Sequence, residues 1–182
     1  LQHQPSAGRV LFRGRDVAAL DGKGELLAYR RLVQMVFQDP FGSLNPVHTI
    51  FHHIARPLAL HAGIADRKAL KARVMELLAA VELEPDSTAP KYPHQLSGGQ
   101  RQRVNIARTL AVGAEVVLAD EPTSMLDVSI RLGVLNLLER MKRERGMAFL
   151  YITHDIATAL YVAEEIAVMY AGRIETSSIE VG

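Results

Sequence analysis

Val116-Val117-Leu118-Ala119 runs without a polar residue into Asp120 and Glu121, and Pro122 then stops it. An apolar run this short and this complete leaves no wet face, which is the pattern of a strand buried in a parallel sheet. The residues downstream agree. Val128 to Arg145 carries Ile130, Val134, Leu137, Leu138 and Met141 at helical spacing and then meets Gly146. Ala148 to Thr153 predicts a strand, Ile156 to Ala163 a helix, and Ile166 to Tyr170 a last strand. Parallel strands joined by crossover helices require this alternation.

The first half has a different texture. Arg9 to Arg13 predicts a short strand, ended by Gly14 and the Asp21-Gly22 turn. Leu32 to Phe37 predicts another, apolar enough that both faces are expected to be covered. From Pro40 onward, prolines at 40, 46, 57, 85, 90 and 93 punctuate helical stretches. Arg67 to Val81 is one, with Leu70, Val74, Leu77, Leu78 and Val81 in helical register. A second follows Leu96, aligns Val104, Ala107 and Ala111 on one face, and stops at Gly113. The expectation is an α/β fold: a sheet core from residues 1–39 and 113–182, with a mostly helical subdomain inserted over residues 40–112. A chain of 182 residues suits one domain carrying such a lobe.

Composition removes several alternatives. With 21 Lys and Arg against 20 Asp and Glu, the formal charge is +1, which argues against a basic nucleic-acid binder. Cysteine is absent, so disulfides, thiolate zinc sites and a cysteine nucleophile are excluded. The longest stretch without Asp, Glu, Lys or Arg, Pro40 to Ala55, holds two prolines, an asparagine and three histidines, and cannot span a bilayer. No basic-then-apolar leader opens the chain. A cytoplasmic protein is expected, touching membrane only through a partner. The chain opens on Leu1 rather than Met, as if at a helix end, with a turn at Pro5-Ser6-Ala7-Gly8. A fragment is expected.

Asp120 falls at the carboxyl end of its strand, the edge where open α/β sheets bind ligands. A carboxylate there suits a divalent cation, while Glu121 points elsewhere and is placed to polarise a water. Taken alone, a solvated acidic turn is the simpler reading. Leu96-Ser97-Gly98-Gly99-Gln100 shifts the balance, since five specified residues recur by chance about once per million positions. Ser97 can cap the following helix, and Gly98 and Gly99 let backbone N–H groups approach a ligand. A helix start of that kind attracts anions.

These residues resemble the nucleotide-binding domain of ABC transporters. Tyr92-Pro93-His94-Gln95-Leu96-Ser97-Gly98-Gly99-Gln100-Arg101-Gln102-Arg103-Val104 resembles the family signature, and Val116 to Glu121 its Walker B strand with the catalytic glutamate. Ser124-Met125-Leu126-Asp127 resembles the D-loop, Tyr151-Ile152-Thr153-His154-Asp155 the switch-histidine segment, and Gln38 the Q-loop glutamine. The five occur in the family's order, and the resemblance covers residues 9 to 173. Gln38-Asp39-Pro40-Phe41-Gly42-Ser43-Leu44-Asn45-Pro46, Asp127-Val128-Ser129-Ile130 and Val168-Met169-Tyr170-Ala171-Gly172 are similar to ATPases of oligopeptide and dipeptide importers. Nickel and oligosaccharide importers share them.

The resemblance implies a P-loop NTPase core that pairs with a second ATPase domain, identical or different, and sandwiches two Mg²⁺-ATP. Ser97, Gly98, Gly99 and Gln100 would meet the partner's ATP. Asp120 would hold Mg²⁺ largely through water, with Gln38 completing the shell. Glu121 would be general base for the attacking water, His154 would steady the γ-phosphate, and Asp127 would couple the sites across the dimer. Transmembrane permease subunits and, indirectly, a substrate-binding protein are the implied partners, at the cytoplasmic face of a bacterial plasma membrane. Nucleic acid is not among them.

The sequence also departs from the family. The only Gly-Lys pair, Gly22-Lys23, is followed by Gly24 and has no glycine five residues before Gly22, so no G-x-x-x-x-G-K-[ST] P-loop is present. By resemblance its lysine would fall roughly ten residues before Leu1, about three helical turns, which implies truncation at the amino terminus. These 182 residues alone are then expected to bind ATP poorly, and their stability on their own is in question. Glu175 to Gly182 does not continue the family's Val-Glu-x-Gly run. His48, His52 and His53 cluster, but Thr49 breaks the metalloprotease pattern, and a surface facing the membrane subunit fits better. Two other functions stay open: a DNA-repair or chromosome-maintenance ATPase, disfavoured by the lack of heptads and cysteines, and a non-hydrolysing module completing a partner's ATP site.

Overall fold

In the computed structural model, the described residues are 7–40 and 42–180, the last five by backbone alone. The turn expected at Pro5-Ser6, the start at Leu1, Phe41 and the final two residues lie outside them. β1 (Leu11–Phe12) and β2 (Arg15–Asp16) form a small antiparallel hairpin, followed by α1 (Lys23–Leu32) and β3 (Val33–Val36). The helices α2 (Ile50–His61), α3 (Arg67–Ala80), α4 (Pro85–Thr88) and α5 (Gly98–Ala111) come next. Then β4 (Val116–Asp120), α6 (Val128–Arg145), β5 (Ala148–Ile152) and α7 (Ile156–Val162) alternate. The hairpin of β6 (Glu165–Tyr170) and β7 (Arg173–Glu180) closes the described chain.

β3, β4 and β5 make a parallel sheet in that order, with Met35, Leu118 and Leu150 level across it. Side chains alternate between faces along each strand. Val36, Val117 and Ala119 are buried, and Val36 and Val117 join partly buried Phe149 and Tyr151 in the core shared with α5 and α6. The opposite face differs from the expectation of two covered faces. Met35, Leu150 and Ile152 on it are exposed among the described residues.

α2, α3, α5 and α6 bury one continuous aliphatic core that includes Ile50, Ile54, Leu58, Val74, Leu77, Leu78, Val104, Val134 and Leu137. Each fully buried side chain of this kind contributes about 1.5–3 kcal/mol, which holds α2 together around the internal Pro57. Gly146 ends α6 in the left-handed conformation that the sequence pattern requires there. At the end of α3, the Glu82 carboxylate accepts from Arg103 on α5 and from Arg140 on α6, at 2.8 Å for Arg140. The same guanidinium groups donate to the carbonyls of Val81 and Ala80, so one charge cluster fastens three helices.

Three elements were not anticipated, the first being β2, which pairs with β1 across Arg13-Gly14. α1 follows the Asp21-Gly22 turn and buries no residue. β7 makes Ile166 to Tyr170 the penultimate strand, paired antiparallel and outside the parallel sheet. Its turn is Ala171-Gly172, both at positive φ, the geometry that matches strand twist in a tight hairpin.

The three histidines gather at the start of α2. His48 and His52 stack at 4.0 Å between ring centroids, and His53 lies edge-on to both. Among the described residues no group of three or more His, Asp or Glu is arranged to hold a metal. The Asn45 carbonyl accepts from His53 Nε2 at 3.0 Å. Burial lowers the pKa of His53 against the opposing effect of that bond, with Arg108 and the two other imidazoles adding to the depression. Burial, His48 and Arg56 lower that of His52. A histidine depressed when folded takes up its proton more readily unfolded, so stability falls as pH drops below the ordinary value of 6.5 and levels off below the folded pKa. NMR titration is expected to place the midpoints of His52 and His53 below 6.5, with thermal stability declining over the same interval. Midpoints at or above that value would contradict the packing described.

Candidate functional site

Strands in parallel register finish at one edge, and three of the sequence-predicted residues meet there. Gln38 lies two residues beyond β3, Glu121 one beyond β4 and His154 two beyond β5. Glu121 Oε2 accepts from Gln38 Nε2 at 3.1 Å, and Oε1 lies 2.8 Å from His154 Nδ1. An ionised carboxylate can only accept, so Nδ1 carries the proton and Nε2 of a neutral ring is left as an acceptor. The His154 side chain is 76% exposed and that of Glu121 23%.

Backbone geometry aims Glu121. Its φ is +42°, in the left-handed region that costs a non-glycine residue about 1–2 kcal/mol. Three bonds hold it there. Its N–H donates to the Ile152 carbonyl at 2.9 Å, and its own carbonyl accepts from Ser124 N–H at 3.1 Å and Ser124 Oγ at 3.0 Å. Asp120, the last residue of β4, is half-buried on the face opposite Ala119.

Beside this cluster lies a polar cavity of about 340 Å³, lined in part by Glu121, Ser124, Arg131, Thr153, His154 and Asp155. Asp155 caps α7 through the N–H groups of Ala157 and Thr158, bonds the Thr158 hydroxyl, and meets Arg131 at 3.1 Å. These partners, Thr158 foremost, hold its carboxyl below the usual range. Arg131 also reaches the Leu126 carbonyl at 3.5 Å and so bridges the loops after β4 and β5. No motif in the sequence singled it out, because an arginine in a helix's first turns reads as surface.

Ser97 to Gln100 open α5 as a reciprocal cap. Ser97 Oγ accepts from Gln100 N–H at 3.3 Å, and Gln100 Oε1 from Ser97 N–H at 3.0 Å. Gly99 has a role that ligand approach alone does not explain. A Cβ there would sit 2.3 Å from Ile130 Cγ2 on α6, and one at Gly98 would sit 3.2 Å from Leu126 Cδ2. The glycines let α5 press against the Ser124–Asp127 loop and the helix after it. Asp127 is exposed at the start of α6, with no side-chain cap bond.

A buried polar network also escaped the sequence reading. Gln102 and Asn105 on α5 are buried, as is the neighbouring Thr109. Arg108, whose pKa burial lowers, donates to the Ser43 carbonyl at 2.9 Å, and Ser43 Oγ donates to Asn105 Oδ1 at 3.0 Å. The usable signal was two polar residues, three apart, within an otherwise buried helix.

Residues 1–124 match the family described as ABC transporter. The chain belongs to that family. It is 45% identical over 172 residues to the putative oligopeptide transport ATP-binding protein YkfD of Bacillus subtilis, covering 94% of this chain and 52% of YkfD. It is 44% identical over 172 residues to the oligopeptide transport ATP-binding protein OppF of the same organism, covering 94% of this chain and 56% of OppF. Against the glutathione import ATP-binding protein GsiA of Escherichia coli, identity is 44% over 179 residues, covering 98% of this chain and 28% of GsiA. The chain thus spans about half the length of the oligopeptide-transport relatives it matches.

The dimeric bacterial ABC transporter cassette MJ0796 superposes with a TM-score of 0.84 at 33% identity, covering all of this chain and 76% of that one. The cbiO1 subunit of Clostridium perfringens, part of the cbiONQ transporter complex, gives 0.81 at 28% identity, covering 97% and 67%. The fold is therefore the ABC-ATPase form of the P-loop NTPase core with inserted helices.

Gly99→Ala forces a Cβ into Ile130, whose β-branched side chain has little rotamer freedom in a helix. It is expected to destabilise the full-length gene product by about 1–3 kcal/mol. Gly99→Ala with Ile130→Ala should recover part of that loss in chemical denaturation. A single variant as stable as the parent would refute the close contact.

Proposed function

We propose that this chain belongs to the ATP-binding and ATP-hydrolysing subunit of a membrane importer, with peptides as cargo. The observation that carries the chemistry is the Glu121 carboxylate, gripped by Gln38 and His154 at the carboxyl edge of the sheet. Peptide cargo is supported by the names of relatives, several of them oligopeptide transport proteins and others glutathione importers. The family and the cbiONQ likeness support a second ATPase domain and permease subunits as partners. Among the described residues no helix is long and apolar enough to cross a membrane, and we place the subunit at the cytoplasmic face. In this reading residues 40–112 form the signature lobe and the flanking segments the core.

Asp120 offers one carboxylate, and Gln38 keeps its amide oxygen while its Nε2 serves Glu121. Two such donors fit Mg²⁺, which keeps waters and phosphate oxygens in its shell rather than an all-protein cage. Bound there, Mg²⁺ would neutralise phosphate charge. Glu121 takes the proton of the attacking water, in line with the γ-phosphate. Each of its oxygens has one donor at present, which leaves acceptor capacity for that water. A neutral imidazole that donates Nδ1–H to Glu121 has Nε2 as an acceptor, so for such a ring holding a phosphate oxygen requires either a second proton or release of Nδ1 from Glu121. Ser97 to Gln100 would present a helix start to the partner's nucleotide, and Asp127 would reach across the pair.

A second reading is a module that lends its signature, Ser97 to Gln100, to a partner's ATP site without hydrolysing ATP of its own. The two readings part on turnover by the full-length gene product. Glu121→Gln in that protein is expected to bind ATP normally, measured with a fluorescent analogue, and to lose about 10²- to 10⁴-fold in kcat. Turnover unchanged from the parent would sink the assignment of the base. Turnover that appears only with an added second ATPase domain, survives Glu121→Gln in this protein and is lost with Ser97→Arg would favour the lending module.

A further inference from the structure

We propose that Gln102 is a positioning residue that couples the signature helix to the backbones carrying Gln38 and Glu121. Its side chain is fully buried, 0% exposed. Gln102 Nε2 donates to the Pro122 carbonyl at 2.7 Å and reaches the Phe37 carbonyl at 3.5 Å. Those two carbonyls belong to the residue after Glu121 and the residue before Gln38. The amide oxygen faces Asn105 Nδ2 at 3.5 Å, and Asn105 in turn takes the Ser43 hydroxyl. A single amide thus stands where three segments meet.

Glu121 is held at φ +42°, a conformation that persists only where surrounding bonds over-determine it. The bond to Pro122 restrains the peptide that follows Glu121 from α5. Gln102 lies one turn beyond Gly98, and a helix moves as a unit, so a shift of the signature residues carries Gln102 with it at nearly full amplitude. Displacement of the helix start is therefore felt at the peptide next to Glu121 and at the end of β3. Loss of the amide donor leaves buried carbonyl oxygens without a partner and frees Glu121 from the signature helix while leaving its contacts to Gln38 and His154 in place.

This inference rests on Glu121 being the base, and the experiment separates the two. Wild type, Gln102→Met and Gln102→Glu are compared as full-length proteins, with thermal unfolding run alongside and kcat and KM for ATP measured from pH 5.5 to 8.5. Gln102→Met keeps shape and removes the donor, and is expected to lose about tenfold or more in kcat with KM nearly constant, the mark of an interaction lost from the reacting state. Gln102→Glu supplies an O–H donor when neutral and loses it when ionised, and burial raises the pKa of such a carboxyl. Its kcat relative to wild type should be close to one at the acid end and fall as pH rises, with KM flat. Should Gln102→Met fail to fold, the acid arm of Gln102→Glu, where the bond is preserved, decides. A pH-independent kcat ratio in Gln102→Glu, or a loss in KM instead of kcat, overturns the proposal. A wild type without ATP turnover even with its second ATPase domain present overturns the hydrolase reading and this assignment with it, whereas variants equal to an active wild type overturn this assignment alone.

Discussion

Parallel pairing of β3, β4 and β5 brings three strand ends level, and the rest of the site depends on that alignment. Met35, Leu118 and Leu150 stand side by side, so Gln38, Glu121 and His154 emerge at one edge within hydrogen-bond reach. A slip of one residue along any strand would turn its buried side chains to the other face and move its functional residue away from the cluster. Val36, Val117 and Ala119, all buried on the helix side, set the register. Apolar packing several residues back along each strand therefore determines where a carboxylate, an amide and an imidazole meet.

Helix α5 serves packing and the site at once. Its first residues form a reciprocal cap, its second glycine lies against Ile130, its middle carries the buried amide of Gln102, and Arg108 nearer its end clamps the loop at Ser43. Sites built on a rigid element hold their geometry better than sites on loops. Glu82, between Arg103 and Arg140, extends the same logic to the lobe behind it, because the helix bearing the signature is pinned to both of its neighbours by charge as well as by core contacts.

What was legible in the sequence was local. Asp120 and Glu121 stand out because an apolar run ends on them, Ser97 because a cap followed by two glycines is rare, and the helix Arg67–Ala80 because its period is clean. What escaped depends on partners far along the chain. Gln102 reads as one more polar residue in a helix until Pro122, twenty residues on, is seen to accept from it. Gly99 suggests ligand approach until Ile130 is found against it. The helix Lys23–Leu32 buries nothing, and the strand Arg173–Glu180 has its partner across a two-residue turn rather than in the parallel sheet. Among the described residues β3 is covered on one face only, since an apolar run records what a strand can bury and not what lies against it.

The uncovered face of the sheet has a consequence for solution behaviour. Met35, Leu150 and Ile152 lie open, and β5 is an edge strand among the described residues. An apolar face beside a bare strand edge invites pairing with another copy. Studied on their own, these 182 residues carry that face uncovered, so their self-association would report on Met35, Leu150 and Ile152 and not on the polar edge that bears Glu121.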